Sequence, residues 1–344
     1  MPEKSIEHIN FEQINDLAIS KPLVSHIYTA DPSAHVFNGK IYIYPSHDID
    51  AGIPFNDNGD HFRMEDYYVF SMDTISYEAV DNGVALHVDD VAWAEKQMWA
   101  PDAAHKNGKY YLYFPAKRVN GIFQIGVAVG DSPEGPFIPQ SDAIKGSYSI
   151  DPAVFEDEDG KHYIYFGGIW GGQLQKYRNN KFDEDNEEPL AEEKALGPIV
   201  ALLRDDMLEF AEEPKEIKIL DEEGKEILAG DNNRRFFEAS WVHKYNGKYY
   251  FSYSTGDTHF ICYAIGENPY GPFTYQGRVL NPVLGWTSHH SICEVEGEWY
   301  LFYHDSSLSK GVTHLRSIKV TKIDYLEAGS IVTIDPYGIR RSFD

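Results

Sequence analysis

One short pattern recurs five times along the chain: a turn of Asn, Asp or Glu, then Gly, then Lys or Glu, leading into an aromatic-rich segment. The copies read VFNGKIYIYPSHD, AHKNGKYYLYFPAK, VFEDEDGKHYIYFGG, WVHKYNGKYYFSYSTGD and ICEVEGEWYLFYHDSS. An Asn-Gly or Asp-Gly pair between apolar segments is a strong hairpin signal, because these residues tolerate the positive φ of the turn. Each copy therefore predicts two antiparallel strands.

The spacing of the copies suits a repeated sheet. Their turn glycines lie roughly 50 to 90 residues apart, and about 50 residues make one four-stranded propeller blade. The segments DSPEGPF and ENPYGPF each follow a hairpin by a similar interval, which adds a third strand, a turn and a fourth strand. The sequence therefore predicts an all-β fold, a five-bladed β-propeller with a central funnel. The turn glycines are Gly39, Gly108, Gly160, Gly247 and Gly297.

Two segments are longer than a minimal blade requires. We expect residues 1–344 to form a single domain, with residues 50–66 as a long polar surface loop rich in Gly and Asp. Residues from about 173 to 235 are dense in charge. Within them, ALGPIVALLRDDMLEFAEEP is expected to carry a short helix, which predicts a charged, partly helical insertion.

The composition narrows the range of partners. A formal net charge of −25 argues against nucleic acid and anionic membranes, which are bound by basic surfaces. The N-terminus opens into polar sequence without a signal-peptide core, and no stretch approaches the roughly 20 apolar residues of a membrane span. We therefore expect a soluble cytoplasmic protein. Its two cysteines, Cys262 and Cys293, are expected to be inert core residues rather than a disulfide framework.

Chemistry-bearing residues stand eight or nine positions before four of the turn glycines. Such positions begin the strand nearest the axis of a propeller, so the side chains are aimed at one funnel. Singly, each has an ordinary structural explanation, since Asp before Pro opens many turns. Their recurrence at one structural position favours function. The residues are Asp31, Asp151, Glu238 and His289, while the second copy has Trp99 there and Asp102 three residues later.

Three carboxylates in one funnel suit glycosidic cleavage. That reaction needs a proton donor for the leaving oxygen and a carboxylate that activates water or attacks the sugar. Neighbouring carboxylates also raise one another's pKa, which keeps an acid protonated near neutral pH. We therefore predict that Asp31, Asp151 and Glu238 are the catalytic residues.

At these residues the chain resembles glycoside hydrolase family 43. The matching motifs are ADPSA, MWAPDA, SIDPAVF, FFEASWV and SHHSI, and the similarity runs from IYTADPSAHVF through THLRSIKV. The resemblance implies an inverting mechanism with Asp31 as general base and Glu238 as general acid. Asp151 would raise the pKa of Glu238 and orient it.

The resemblance also implies residues that bind the sugar. Arg316 in LRSIKV matches an arginine that binds sugar hydroxyls, and Trp99 fits an aromatic wall that packs on a sugar face. Trp170 in GGIWGG and Thr258 in STGDT are further candidates for the same rim.

A metal ion is implied beneath the site. His289 matches a family histidine often found beside calcium or another divalent ion, with waters completing the coordination. This chain reads Ser288-His289-His290-Ser291 where the family has Gly-His-Asn/Ala/Gly-Ser, so His290 is the alternative and His289 is preferred.

The family resemblance predicts an exo-β-xylosidase that releases xylose from the non-reducing end of β-1,4-xylo-oligosaccharides. Several segments are most similar to single-domain intracellular members, and the loop at residues 50–66 would restrict the action to chain ends. An α-L-arabinofuranosidase, or a dual enzyme that also takes arabinose-substituted oligosaccharides, is the alternative, since the two sugars present similar hydroxyl patterns.

Two other classes of function fit the sequence less well. A non-catalytic carbohydrate-binding propeller would be expected to have lost the funnel carboxylates, which are present here. Metal-centred chemistry at His289, His290, His304 and Asp305 lacks the compact spacing of a transition-metal motif.

Overall fold

The computed structural model describes residues 11–76 and 78–338. Within these ranges the regular structure is almost entirely β, with one α-helix, α1 (Phe11–Leu17), ahead of the first strand. No helix in the described part of the chain is long and apolar enough to span a membrane. Cys262 and Cys293 are both free, and burial raises the pKa of each thiol to about 12.

Five sheets form the five blades of the predicted propeller, and each begins with one of the five predicted hairpins. Blade I contains β1 (Tyr28–Phe37), β2 (Lys40–Asp48), β3 (Asp66–Met72) and β4 (Val80–His87), and blade II contains β5 (Asp102–Lys106), β6 (Lys109–Lys117), β7 (Phe123–Gly130) and β8 (Ile138–Pro139).

Blade III begins with β9 (Ala153–Glu156) and β10 (His162–Phe166). A separate hairpin of β11 (Tyr177–Arg178) and β12 (Lys181–Phe182) follows, and β13 (Ile199–Leu202) and β14 (Lys215–Glu216) complete blade III. Strand β15 (Ile219–Leu220) runs parallel to the edge of blade IV, which contains β16 (Glu238–Tyr245), β17 (Lys248–Ser254), β18 (Ile261–Gly266) and β19 (Phe273–Leu280). Blade V contains β20 (His290–Val295), β21 (Glu298–Asp305) and β22 (Ser317–Ile323).

The turns show why the repeat folds as it does. Asn38 and Gly39 between β1 and β2 have φ of 53° and 79°, the positive values that a tight two-residue hairpin turn needs. The predicted third and fourth strands after DSPEGPF and ENPYGPF are present as well, in blades II and IV. Local turn chemistry thus produces the sheet repeat.

The first strands of neighbouring blades, β1, β5, β9, β16 and β20, contact one another around a ring. Apolar residues fill the space between blades, as between blades I and II, where Val69 and Tyr67 of β3 lie in one buried cluster with Leu112 and Phe114 of β6. On the axis, Asp102 accepts hydrogen bonds from His35 of blade I (2.6 Å) and from the backbone N–H of Val154 in blade III (2.5 Å). Asp102 therefore links three blades.

The expectation of a helix in the insertion is wrong. Residues 195–214, all of which the structure describes, contain no α-helix, and their apolar run forms β13, the third strand of blade III. Ile199, Val200 and Ala201 are buried there. A short apolar run fits a doubly buried strand as well as a helix, and pairing with β10 decided between them. Residues 49–65, between β2 and β3, form the predicted loop without strands.

The ring closes between the N-terminal segment and blade V, a junction that we call the ring seam (residues 20–29 with residues 316–320). The backbone N–H of Thr29 donates to the carbonyl of Arg316 (2.9 Å), and that of Leu23 donates to Ile318 (2.9 Å). The Ser20 hydroxyl donates to the carbonyl of Val320 (2.6 Å). The N-terminal segment thus lies beside β22, on the outer side of this three-stranded blade.

Candidate active site

A pocket of about 640 Å³, open to solvent, lies where the first strands of the blades begin. Seven of the eight residues predicted for the site line it. They come from all five blades or from the loops that join them, so the ring of sheets is what brings them together. These residues are Asp31, Trp99, Asp151, Trp170, Glu238, His289 and Arg316.

Asp31 lies within β1 at a bulge and has a left-handed backbone, with φ of 49°. One of its carboxylate oxygens accepts a hydrogen bond from the Ser46 hydroxyl (2.6 Å), and the other from Nη1 of Arg316 (2.9 Å). Burial by itself raises the pKa of Asp31, but the Arg316 charge and the other partners outweigh it and lower the pKa to about 2. Asp31 is therefore ionised at neutral pH.

His304 holds the backbone of Asp31. The N–H of Asp31 donates to Nδ1 of His304 (3.0 Å), so the imidazole proton resides on Nε2, which faces the carbonyl of Thr287 (3.1 Å). Burial, followed by the Arg316 charge, lowers the pKa of His304 to about 3. His304 is thus a neutral hydrogen-bond partner of Asp31, which its sequence position did not reveal.

Arg316 is oriented by Asp48, the last residue of β2, which sequence reasoning did not single out. Both carboxylate oxygens of Asp48 take part, accepting from Nε and from Nη2 of Arg316, each at 2.8 Å. The guanidinium also lies over the ring of Phe62, 4.9 Å from its centroid. Asp48 ends the first repeat motif, but no sequence signal paired it with an arginine 268 positions away.

Glu238 is the first residue of β16 and is partly exposed in the pocket. Burial and then the negative charge of Asp31 raise the pKa of Glu238 to about 8, although Arg316 opposes this shift. Glu238 therefore carries a proton at neutral pH, as a general acid must.

Asp151 joins Glu238 through the backbone. Its carboxylate accepts a hydrogen bond from the N–H of Ala239 (2.8 Å), a residue with φ of 62° that follows Glu238 directly. Burial, Glu238 and Asp31 together raise the pKa of Asp151 well above its usual range. Because charge coupling is reciprocal, Asp151 and Glu238 titrate as a pair rather than as independent acids.

The sequence predicts that the three carboxylates share one position of the repeat, and this prediction is wrong for Glu238. Glu238 pairs with Ser254 across its hairpin, and the residue of blade I in the same register is Ala30, which pairs with Ser46. Glu238 thus stands one residue before the position that Asp31 occupies in its own blade. Both hairpins carry a bulge at the same point, and Ala239, which is eight residues before Gly247 as Asp31 is eight before Gly39, occupies the position of Asp31.

Aromatic side chains form much of the pocket wall. Nε1 of Trp99 donates to the carbonyl of Phe62 (2.8 Å), which ties the 49–65 loop to this ring. Trp170 packs against Trp286 and Phe237, with ring centroids 5.6 Å and 5.2 Å apart. Trp286 and Phe62 were not predicted, because neither lies in a repeat motif.

Thr258 is a wrong prediction for the rim. It does not line the pocket, and its hydroxyl is engaged by the carbonyl of Asn232 (2.6 Å) and the hydroxyl of Thr255 (2.7 Å). The STGDT segment turns back on itself, so the Thr258 hydroxyl bonds within the segment and to the neighbouring loop rather than reaching the pocket.

Of the two adjacent histidines, His289 lines the pocket, whereas His290 lies within β20 and contacts the Ser252 hydroxyl (2.6 Å). Nδ1 of His289 accepts from the N–H of His290 (2.8 Å). Its Nε2 is buried without a hydrogen-bond partner among the described residues, 3.7 Å from Asp151. The described ranges contain no cluster of three metal-ligating side chains. The site thus fits a cation only if that nitrogen is its one histidine ligand and waters complete the shell.

An ionised carboxylate and a protonated one, facing a common pocket in a propeller funnel, define the class of protein: a glycoside hydrolase. Residues 19–331 match the model of "Glycosyl hydrolases family 43", and the chain belongs to this family.

Close relatives agree with this assignment. The chain is 62% identical to "Xylosidase/arabinosidase" of Bacteroides ovatus, over 91% of this chain and 97% of the relative. It is 63% identical to "Xylosidase/arabinosidase 43A" of Humicola insolens, over 92% and 99%. A solved β-xylosidase/α-arabinofuranosidase from a compost microbial metagenome, in complex with xylotriose and in a calcium-free form, is 65% identical. It superposes with a TM-score of 0.91 over 92% of this chain and 98% of that one.

Proposed function

We propose that this glycoside hydrolase removes terminal xylose from β-1,4-xylo-oligosaccharides with inversion, and that it also accepts α-L-arabinofuranosides. The observation that carries the proposal is the pairing of an ionised Asp31 with a protonated Glu238 in one pocket. The names of the relatives, which join xylosidase and arabinosidase, support both sugars. The relative solved with xylotriose supports an oligosaccharide substrate.

The chemistry follows from the two protonation states. Glu238 donates its proton to the glycosidic oxygen as the bond from that oxygen to the anomeric carbon breaks. Asp31 accepts a proton from a water molecule, whose oxygen forms the new bond to the anomeric carbon from the opposite face. The sugar therefore leaves with its anomeric configuration inverted. Asp151 fixes the backbone beside the acid and shares in its titration.

Contacts between loops support the proposal that cleavage takes place at chain ends. Gly59 of the 49–65 loop lies so close to Trp99 that a Cβ there would be 2.6 Å from the indole ring. A Cβ on Gly171, in the loop after β10, would be 3.0 Å from the carbonyl oxygen of Asn58. Loops from blades I and III thus meet beside Trp99 and wall this side of the pocket. A pocket closed on one side holds the end of a chain rather than its middle.

NMR observation of the first-formed sugar from xylobiose tests the mechanism. Inversion of a β-xyloside gives α-xylose first, and a β-anomer as the initial product would contradict the roles of Asp31 and Glu238. Rates on 4-nitrophenyl β-D-xylopyranoside and α-L-arabinofuranoside measure the preference between the two sugars. Glu238→Gln is the inactive reference for xylobiose, because an amide cannot protonate the sugar that leaves, and Asp31→Asn is the reference for the 4-nitrophenyl glycosides, whose leaving group departs without an acid.

We further propose that a divalent cation, calcium first among the choices, binds at Nε2 of His289 with water as its other ligands. Such a cation would supply positive charge beside Asp151, which lies 3.7 Å from that nitrogen, and would favour the ionised form of Asp151. Calorimetric titration of chelator-treated protein with calcium tests this, with His289→Ala as the matched variant. Equal calcium binding by the two proteins would count against His289, and no binding to either would count against the cation.

A further inference from the structure

We propose that Asp48 is a positioning residue for the reaction: it takes one edge of the Arg316 guanidinium, so that the remaining nitrogen stays on Asp31. This inference rests on the proposed function, since it gives Arg316 and Asp31 their roles in hydrolysis. Asp48 itself does not line the pocket and so acts only through the arginine.

The hydrogen bonds divide the arginine into two sides. Asp48 accepts from the backbone N–H, from Nε and from Nη2 of Arg316, each at 2.8 Å. Nη1 is left for the other partners, the carboxylate of Asp31 (2.9 Å) and the hydroxyl of Thr287 (3.0 Å). Because the guanidinium is a rigid planar fork, engaging its Nε–Nη2 edge fixes the direction of Nη1.

The alternative arrangement shows what Asp48 prevents. A guanidinium edge prefers a carboxylate that it can bind through two nitrogens. Without Asp48, the two-nitrogen edge of Arg316 would be free to turn onto Asp31. Asp31 would then have fewer lone pairs for the attacking water, and Nη1 would leave the sugar's side of the pocket. Because Asp48 occupies the Nε–Nη2 edge of Arg316, Asp31 keeps its lone pairs available for the attacking water.

Burial of both side chains favours this pairing of Asp48 with Arg316. Asp48 is 3% exposed and Arg316 is 2% exposed, so neither charge can turn to solvent when its partner is lost. The pair also joins blades I and V, because Asp48 ends β2 of blade I while Arg316 directly precedes β22 of blade V. The arginine is therefore aimed by a contact between the first and last blades, next to the ring seam.

A double-mutant cycle separates positioning from a purely structural role. Asp48→Asn keeps the shape but turns an amide N–H₂ toward an arginine N–H donor, and Arg316→Met removes the cation. We expect Asp48→Asn to lower kcat/KM by roughly 10- to 100-fold, the scale of a lost charged hydrogen bond, with kcat itself reduced in the folded protein. In the Arg316→Met background, Asp48→Asn should change kcat/KM by less than about threefold. Independent effects would instead multiply and overturn the proposal.

Two controls make the result specific. Asp66→Asn changes a carboxylate on β3 that pairs with His47 (2.6 Å), and successive side chains of β2 point to opposite faces. It should leave kcat/KM within about twofold of wild type, a normal range for a residue away from the chemistry. Wild type and Glu238→Gln, measured together, test the proposed function separately from the cycle.

A crystal structure of the Asp48→Asn variant tests the positioning role of Asp48 even if the variant is inactive. The proposal expects the Nε–Nη2 edge of Arg316 to have turned toward Asp31. An arginine that stays in its wild-type position in a folded Asp48→Asn protein would refute the positioning role, whatever the rates are.

Discussion

Replacing the proposed acid should make the protein more stable in a pH-dependent way. The pKa of Glu238 is about 8 in the folded protein, against a usual value of 4.5. A carboxyl with a raised folded pKa binds its proton more tightly in the folded state, so folding is favoured below about pH 4.5. As pH rises towards 8 the unfolded chain ionises freely while the folded protein must hold the proton or bury a charge. Stability is lost across that window.

The size of this loss follows from the two pKa values. Their difference of about 3.5 corresponds to ~5 kcal/mol, at ~1.4 kcal/mol for each pH unit. Glutamine has nearly the same shape and no charge to bury, so Glu238→Gln removes this penalty. Its advantage in unfolding free energy over wild type should be near zero at pH 4.5 and grow to an upper bound of ~5 kcal/mol at pH 8. Glu238 also raises the pKa of Asp151. Replacing Glu238 by Gln therefore lowers the pKa of Asp151 in the folded protein, which adds to the gain in stability as pH rises.

Urea unfolding of both proteins at several pH values between 4.5 and 8.5 measures this difference. Glu213→Gln is a suitable control, since it makes the same change of carboxyl to amide at an exposed position outside the pocket. An advantage of Glu238→Gln that is constant across the range would show that burial and Asp31 do not raise the pKa of this carboxyl. The reasoning about the acid would then fail with it.

The same electrostatics and packing make three further predictions. The kcat/KM of wild type should fall about tenfold per pH unit above pH 8, as the pair containing Glu238 ionises, and a profile flat to pH 10 would contradict this. Ser46→Ala removes a 2.6 Å hydrogen bond to Asp31, the smallest of the contributions that lower its pKa, so the acidic limb of kcat/KM should move up by less than about one pH unit, and an unmoved limb would contradict this. Gly59→Ala places a Cβ 2.6 Å from an indole carbon of the pocket wall, which should raise KM and cost about 1–3 kcal/mol in thermal unfolding. Gly52→Ala, also at positive φ but with nothing within 4 Å, is its control and should leave KM unchanged.

The five hairpins could be read from the sequence because their signals are local. A turn such as Asn38-Gly39 needs positive φ, and the alternating residues beside it show which strands pair. The positions of Asp31 and Asp151 followed from counting back from such turns. Glu238 stands nine residues before its turn glycine where Asp31 stands eight before its own, and in the structure it is accordingly one position earlier along its strand.

Tertiary structure decided the rest. The apolar run at Ile199–Leu202 could serve as helix or strand, and its pairing with β10 made it a strand. The partnership of Asp48 with Arg316 joins residues 268 positions apart and exists only because the ring closes there. The protonation states of Asp31 and Glu238 likewise depend on burial and on charges supplied by other blades. Local sequence encodes turns and strands, whereas contacts between distant blades arise from ring closure.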